Sequence, residues 1–214
     1  MLVLGIETSG ILCSVGWVRD DKILLEYNIE MPNIHATLLA DLVLEGSKKL
    51  QIECRDINLV AVALGPGSFT GLRIGMSYAK GLCYGLKIPI IGVTNFEVLA
   101  EQAPINTVPV YTLINGGHGK YYLGVFKDGI TINKSEVITI NQIQKKINKN
   151  SVIMVNGSGK GDFTELDKFA ALIMETKYSA GLLCKIALKK YKINNKIDLE
   201  LLEPLYLQSF AGVK

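Results

Sequence analysis

The chain has 214 residues, 49% hydrophobic and 20% charged, with a formal net charge of +3. This composition is ordinary for a globular protein, and the mild positive balance permits a polyanionic partner without demanding one. Cys13, Cys54, Cys83 and Cys184 are scattered with no C-x-x-C pair, which argues against a disulfide framework or a zinc knuckle and for a reducing, cytoplasmic setting.

Met1 leads straight into a strand, so no signal peptide is expected. The longest apolar stretches fall well short of the ~18 residues of a spanning helix. Leu2 to Thr8 (LVLGIET) reads as a buried strand ending in a polar turn, Thr8-Ser9-Gly10. Ile11 to Val18 reads as its hairpin partner, Asp20-Asp21 as the next turn, and Lys22 to Glu30 as a third strand. His35 to Leu50 carries Leu38, Leu39, Leu42 and Val43 at a helical period. Leu59 to Leu64 is a core strand that runs into a glycine-rich loop, with a helix from about Thr70 to Leu86. Ile88 to Val93 is a short buried strand and Asn95 to Gln102 a short helix.

A junction at Pro104 to Pro109 follows, and the pattern restarts. Val108 to Asn115 and Lys120 to Gly129 read as a hairpin, Asn141 to Asn148 as a helix, and Ser151 to Gly159 as a strand entering another glycine turn. Ser179 to Tyr191 reads as a further helix, and the tail Glu203 to Gln208 as an extended segment packed on the body. The boundary near Ala103 divides the chain into halves 1–103 and 104–214. The lysines of INQIQKKINKN read as a solvated helix face rather than a nucleic-acid patch. Three antiparallel strands, helix, strand, helix, strand, helix is the order of the ribonuclease H-like unit shared by actin, sugar kinases and the Hsp70 ATPase. The expected class is therefore α/β, an actin-like ATPase fold in two tandem degenerate halves, by analogy of element order.

The loop GPGSFTG begins at Gly65. A strand that ends at such a loop aims the first N–H groups of the next helix outward, where an anion can settle. Gly65, Gly67, Ser68, Thr70 and Gly71 are the candidate phosphate-loop residues, with Ser68 and Thr70 also able to cap the helix. The spacing is G-x-G-x-x-x-G. A dinucleotide fingerprint needs glycine where Thr70 stands, and a Walker loop needs lysine where Leu72 stands. A tight strand-to-helix turn without a ligand fits the spacing equally well.

The helix after the loop carries two rows of small residues four apart: Gly71, Gly75, Ala79 and Ser77, Gly81, Gly85. A glycine inside a helix costs about 1 kcal/mol relative to alanine, so four of them need a reason. Such rows let another backbone approach closely. One row is explained by packing within the domain; two suggest an outside partner. The expected docking surface comprises Leu72, Gly75, Met76, Ala79 and Leu82, with Leu39 and Leu42 of the preceding helix.

Gly65 to Gly75 (GPGSFTGLRIG), followed by AKGL and GLKIPIIGV, closely resembles the TsaB family, also called YeaZ. LGIETSG at the start and EPLYL near the end are similar to the family's first strand and C-terminal segment. The resemblance covers Met1 to about Ala100 well and the rest loosely. It implies the actin-like fold in two halves and a non-catalytic subunit of the machine that makes N6-threonylcarbamoyladenosine beside the anticodon of tRNAs reading codons that start with A. The implied partners are the paralogue TsaD, which carries the metal and the transfer chemistry, the ATPase TsaE, and tRNA through the complex. A homodimer is implied when the chain is alone. It implies no cofactor or metal of the chain's own, with ATP or ADP at the complex interface.

The paralogue's metal-binding V-x-H-x-x-x-H is matched here by Val93 to Leu99, VTNFEVL. Asn95 and Leu99 stand at the histidine positions, and leucine cannot ligate a metal. His35 matches a family histidine, but Ala36, Thr37 and Asp41 depart from the pattern that follows it. The arginine-bearing family stretch is replaced by NGGHGKYY, Asn115 to Tyr122, and Glu7 stands in place of an aspartate. The alternative is an independent small-molecule kinase or ATPase of the same fold. It needs an aspartate base and a full second-half adenosine site; VNGSGKGDF is the candidate for the latter, with Asp162 the only nearby acid. No H-E-x-x-H or G-x-S-x-G motif supports a protease or a serine nucleophile.

Overall fold

The structure, a computed structural model, describes residues 1–105, 107–148, 150–157, 172–194 and 199–208. Strand β1 (Leu2–Glu7) is buried along its whole length. A continuous apolar run of this kind belongs inside a sheet covered on both faces, and β1 is the middle strand of five. It pairs antiparallel with β2 (Leu12–Arg19), which pairs antiparallel with β3 (Lys22–Glu30). On its other edge it pairs parallel with β4 (Leu59–Gly65), which pairs parallel with β5 (Ile90–Thr94).

The alternation of side chains along a strand shows what covers each face. On β2, Trp17 packs against Gly46 of α1 (His35–Leu50), while neighbouring Gly16 lies against Gly181 of α5 (Ala180–Ile193). On β1, Ile6 approaches Gly75 of α2 (Phe69–Leu86), while Gly5 lies under Ala180 and Cys184 of α5. Thus α1 and α2 lie side by side on one face and α5 on the other. The core on the first face gathers Leu4, Ile6, Trp17, Leu39, Leu42 and Met76.

The expected boundary near Ala103 cuts the chain once, whereas its contacts form two units, Met1–Val98 with Tyr178–Pro204, and Leu99–Lys177 with Leu205–Lys214. Helix α5 therefore belongs to the first unit, not to the second half. The reason is polar. Glu26 on β3 accepts hydrogen bonds from Ser179 Oγ at 2.8 Å and from the Gly181 N–H at 3.0 Å, and Ser14 Oγ accepts from the Ala180 N–H at 3.1 Å. These groups take up N–H donors that a helix start leaves open. Lys190 ties the other end of α5 through Glu97, at 2.9 Å, and the Gly92 carbonyl, at 3.0 Å. Leu199 and Leu202 also pack on the first unit's core, while Glu203–Gln208 forms neither helix nor strand.

The second unit contains the hairpin β6 (Val110–Gly117) and β7 (Lys120–Lys127), with β8 (Ile130–Thr131) and β9 (Glu136–Thr139) both paired to β7. On the other side of β6 lie β10 (Val152–Asn156) and then β11 (Leu172–Thr176), all parallel. The order β11-β10-β6-β7-β8 repeats the order β5-β4-β1-β2-β3 of the first sheet. The short helices are α3 (Asn95–Ala100) and α4 (Ile140–Lys146). β8, β9 and β11 go beyond the strands read from sequence; each is short, two to five residues, and too brief for a clear period. Asp162 lies outside the described residues. Among the described residues, no helix is long and apolar enough to cross a membrane.

Two outcomes follow from this packing. Glu26→Ala removes the acceptor for two donors at the start of α5, and loss of such a charged cap is expected to lower stability by about 2 kcal/mol in denaturant unfolding. An unchanged midpoint and slope would show that the cap carries no weight. Gly75→Leu forces a side chain into Thr8 Oγ1 and Ile6. Overpacking of this kind typically costs about 1–3 kcal/mol, so its thermal midpoint, followed by circular dichroism, should fall below that of the unaltered chain.

Candidate functional site

At the carboxyl end of β1 the chain makes the turn Glu7-Thr8-Ser9, and the glycine loop passes directly over it. Gly65 has φ +88°, a left-handed conformation that favours glycine. Three residues on, the Ser68 N–H donates to the Ser9 carbonyl at 2.6 Å. Ser68 caps α2 by accepting from the Gly71 N–H at 3.2 Å. The first turn of α2 sits so close to the β1 turn that a Cβ on Gly71 would run into the Thr8 carbonyl oxygen, while Thr8 Oγ1 donates to the Gly71 carbonyl at 2.8 Å.

Beneath the loop is a buried polar cluster. Glu7 Oε1 accepts from the Ser9 N–H at 2.6 Å and from Ser9 Oγ at 2.5 Å. Asn95, at the start of α3, donates from Nδ2 to Ser9 Oγ at 2.5 Å and to the Pro66 carbonyl at 3.0 Å. Glu7 and Asn95 are fully buried. Burial pushes the Glu7 carboxyl up to about 7, against the lowering effect of the two Ser9 hydrogen bonds. Burial, with a smaller effect of the Glu7 charge, pushes the Cys13 thiol on β2 up to about 11.

The candidate phosphate-loop residues divide in two. Gly65 and Gly71 are buried in the chain's own packing, whereas Gly67, Ser68 and Thr70 are exposed. The amides of Ser68 and Gly71 are engaged within the chain. Beside the loop, a cleft of about 310 Å³ is bounded by the Gly10-Ile11 turn, the Pro32–Ala36 segment and the first turns of α2.

The expected docking residues are corrected by the structure. Leu72, Gly75, Met76, Ala79, Leu39 and Leu42 are buried inside the first unit, and Leu82 is half-buried. The stripe Leu72, Gly75, Met76, Ala79 and Cys83 is the core face of α2, and its small residues admit Thr8 rather than another chain. The second row, Ser77, Gly81 and Gly85, is the one that faces out. A Cβ on Gly81 or Gly85 would meet open space, and Tyr84 beside them is 79% exposed.

Asn95 and Leu99 lie one helical turn apart on α3, both buried, so the positions aligned with the histidine pair are adjacent in space. His35 Nε2 bonds the Leu12 carbonyl at 3.1 Å, tying α1 to β2. His118 lies in the β6–β7 turn with φ 52°. Among the described residues, no three or more His, Cys, Asp or Glu side chains gather to hold a metal. NGGHGKYY spans the β6–β7 hairpin, exposed from Gly117 to Lys120. Sequence reading missed Ser9 as the anchor of the loop; its only local signal is its place in the polar turn after the first strand.

Glu7 has a consequence for stability. In the unfolded chain it releases its proton near its ordinary value of 4.5, in the folded chain near 7. The folded state binds the proton more tightly, so stability falls as pH rises from 4.5 to 7 and is level above that. The stability difference between the unaltered chain and Glu7→Gln should therefore shift by about 3 kcal/mol over that range in denaturant titrations. A difference that stays constant with pH would mean that Glu7 is already ionised at pH 5.

The sequence model of the family described as "TsaD: tRNA N6-adenosine threonylcarbamoyltransferase" matches residues 31–165. The chain is 30% identical over 155 residues to a "tRNA threonylcarbamoyladenosine biosynthesis protein TsaB" of Buchnera aphidicola subsp. Schizaphis graminum, covering 69% of this chain and 73% of that one. It is 29% identical over 127 residues to the protein of the same name in Bacillus subtilis, covering 59% of this chain and 56% of that one. The solved structure "YeaZ from Pseudomonas aeruginosa" superposes with a TM-score of 0.82 at 19% identity, covering 96% of this chain and 99% of that one. The fold is the actin-like ATPase fold, and the chain belongs to the TsaB (YeaZ) family, within reach of the TsaD family model.

Proposed function

We propose that the chain is a non-catalytic scaffold subunit in the synthesis of threonylcarbamoyladenosine in tRNA, acting in the cytoplasm. In this reading it docks on a TsaD-like paralogue through the outward faces of α1 and α2, with a TsaE-like ATPase joining the complex and tRNA held through it. In the absence of its partner the same faces pair two copies of the chain. ATP or ADP, where present, belongs to the complex interface rather than to this chain alone.

The observation that supports this reading is the outward row Ser77, Gly81 and Gly85. Glycine inside an exposed helix face costs stability and is not required by packing within the fold, because a Cβ at Gly81 or Gly85 would meet open space. A neighbouring helix that packs at Cα distance makes use of the row. Tyr84 on α2 and Leu44 on α1, 79% and 54% exposed, add apolar surface to the two helices. The kinase alternative draws no support from Glu7. An acid that positions metal-bound phosphate must reach the ligand, and Glu7 is buried with one oxygen engaged by Ser9.

Gly81→Leu and Tyr84→Glu test the reading. Both positions are exposed, so both variants should keep the circular dichroism of the unaltered chain; the thermal midpoint should match it for Tyr84→Glu and rise for Gly81→Leu, where leucine replaces a helix glycine that costs about 1 kcal/mol. Titration calorimetry against a TsaD-like paralogue should show affinity lowered by roughly tenfold or more, the effect of an overpacked or charged contact. Unchanged affinity in both variants would exclude this face.

A further inference from the structure

Two oxygens in the cluster beneath the glycine loop have no hydrogen-bond partner among the described residues, Glu7 Oε2 and Asn95 Oδ1. Their residues are joined through one atom, because Ser9 Oγ donates to Glu7 Oε1 and accepts from Asn95 Nδ2. The orientation of the Asn95 amide is determined by its neighbours. Its NH₂ group has two acceptors, Ser9 Oγ and the Pro66 carbonyl; turned over, its oxygen would face the Pro66 oxygen. A fully buried cluster with two unmatched acceptors lacks a hydrogen, and an unsatisfied buried acceptor is destabilising.

We propose that Glu7 holds the glycine loop in place as a neutral acid. It donates an Oε2 hydrogen to Asn95 Oδ1, and release of that proton frees the Pro66–Ser68 segment. One hydrogen satisfies both oxygens. With Glu7 ionised, both buried acceptors stay unsatisfied, and among the described residues no cation pairs with the carboxylate. Among the described residues, the elements packed on β1 bring no cation to Glu7. β4 has no titratable side chain, and β2 brings Cys13, a neutral thiol near Glu7. On α5, Cys184 lies against Gly5 and Lys190 is paired with Glu97; on α2, Arg73 stacks over the Phe69 ring.

The link to the loop is direct. Asn95 Nδ2 supplies the hydrogen bond to the Pro66 carbonyl, and Ser9 supplies the acceptor for the Ser68 N–H. An Asn95 amide repelled by a carboxylate gives up its orientation, and with it the hold on Pro66. The device belongs to this chain alone and does not depend on any partner.

The test is a pH series by NMR on the full chain, following the Glu7 carboxyl carbon together with the amides of Gly67 and Ser68. The Glu7 midpoint should lie near 7 instead of 4.5, and the two loop amides should shift with the same midpoint. Glu7→Gln carries a permanent hydrogen on its Nε2 and should leave the loop amides fixed across the series. Asn95→Ala removes the acceptor and should lower the Glu7 midpoint. A Glu7 midpoint near 4.5, loop amides that do not follow Glu7, or loop amides that still titrate in Glu7→Gln would each overturn the proposal. The unaltered chain decides the matter by itself if either variant fails to fold.

Discussion

Ser9 joins three parts of the chain that are remote in sequence. Its hydroxyl lies between the carboxyl of Glu7 and the amide of Asn95, and its carbonyl takes the N–H of Ser68. The end of the first strand, the glycine loop and the start of α3 are thereby held at one point. The position of α2 follows, because its first turn must pass over Thr8 with no Cβ at Gly71 in the way. With α2 so held, one of its two rows of small residues turns into the fold and the other turns out. Which row turns outward is thus set by a polar cluster several residues away from it.

Much of this fold is legible in the sequence. The continuous apolar run of β1 marks a central strand, and the periods of α1 and α2 place both helices to within a residue or two of their observed ends. The hairpin after Pro109 and the strand β10 of the second sheet are also readable, whereas its outer strands β8 and β11, and with them the repeated order, are not. What is not legible depends on long-range polar contacts. Nothing near Ser179 announces that Glu26, 153 residues earlier, will cap the helix that follows. Small residues four apart read equally as a core stripe or as an outside ridge, and only the position of Thr8 separates the two rows on α2. Asn95 is legible as a lost histidine but not as the donor to Pro66, since that role exists only when the loop lies over it.

These features are consistent with a fold that keeps the shape of an actin-like phosphate loop while the loop's groups are engaged with one another. Function resides in sites and not in folds. Here the acid at the end of β1 is turned to the loop's own support, and the positions that align with a metal-binding histidine pair hold an amide and an aliphatic side chain, both buried. In the proposed reading, a chain built in this way contributes surface to a complex, and the chemistry lies in its partner.

The most direct measurement of that claim is a reconstituted reaction containing tRNA, the threonylcarbamoyl donor and a TsaE-like ATPase, with the modified adenosine quantified by mass spectrometry. Three arms receive this chain alone, a TsaD-like paralogue alone, or both. The account predicts modified adenosine only in the third arm. Product formed with this chain alone, or a yield from the paralogue that is the same with and without it, would contradict the account.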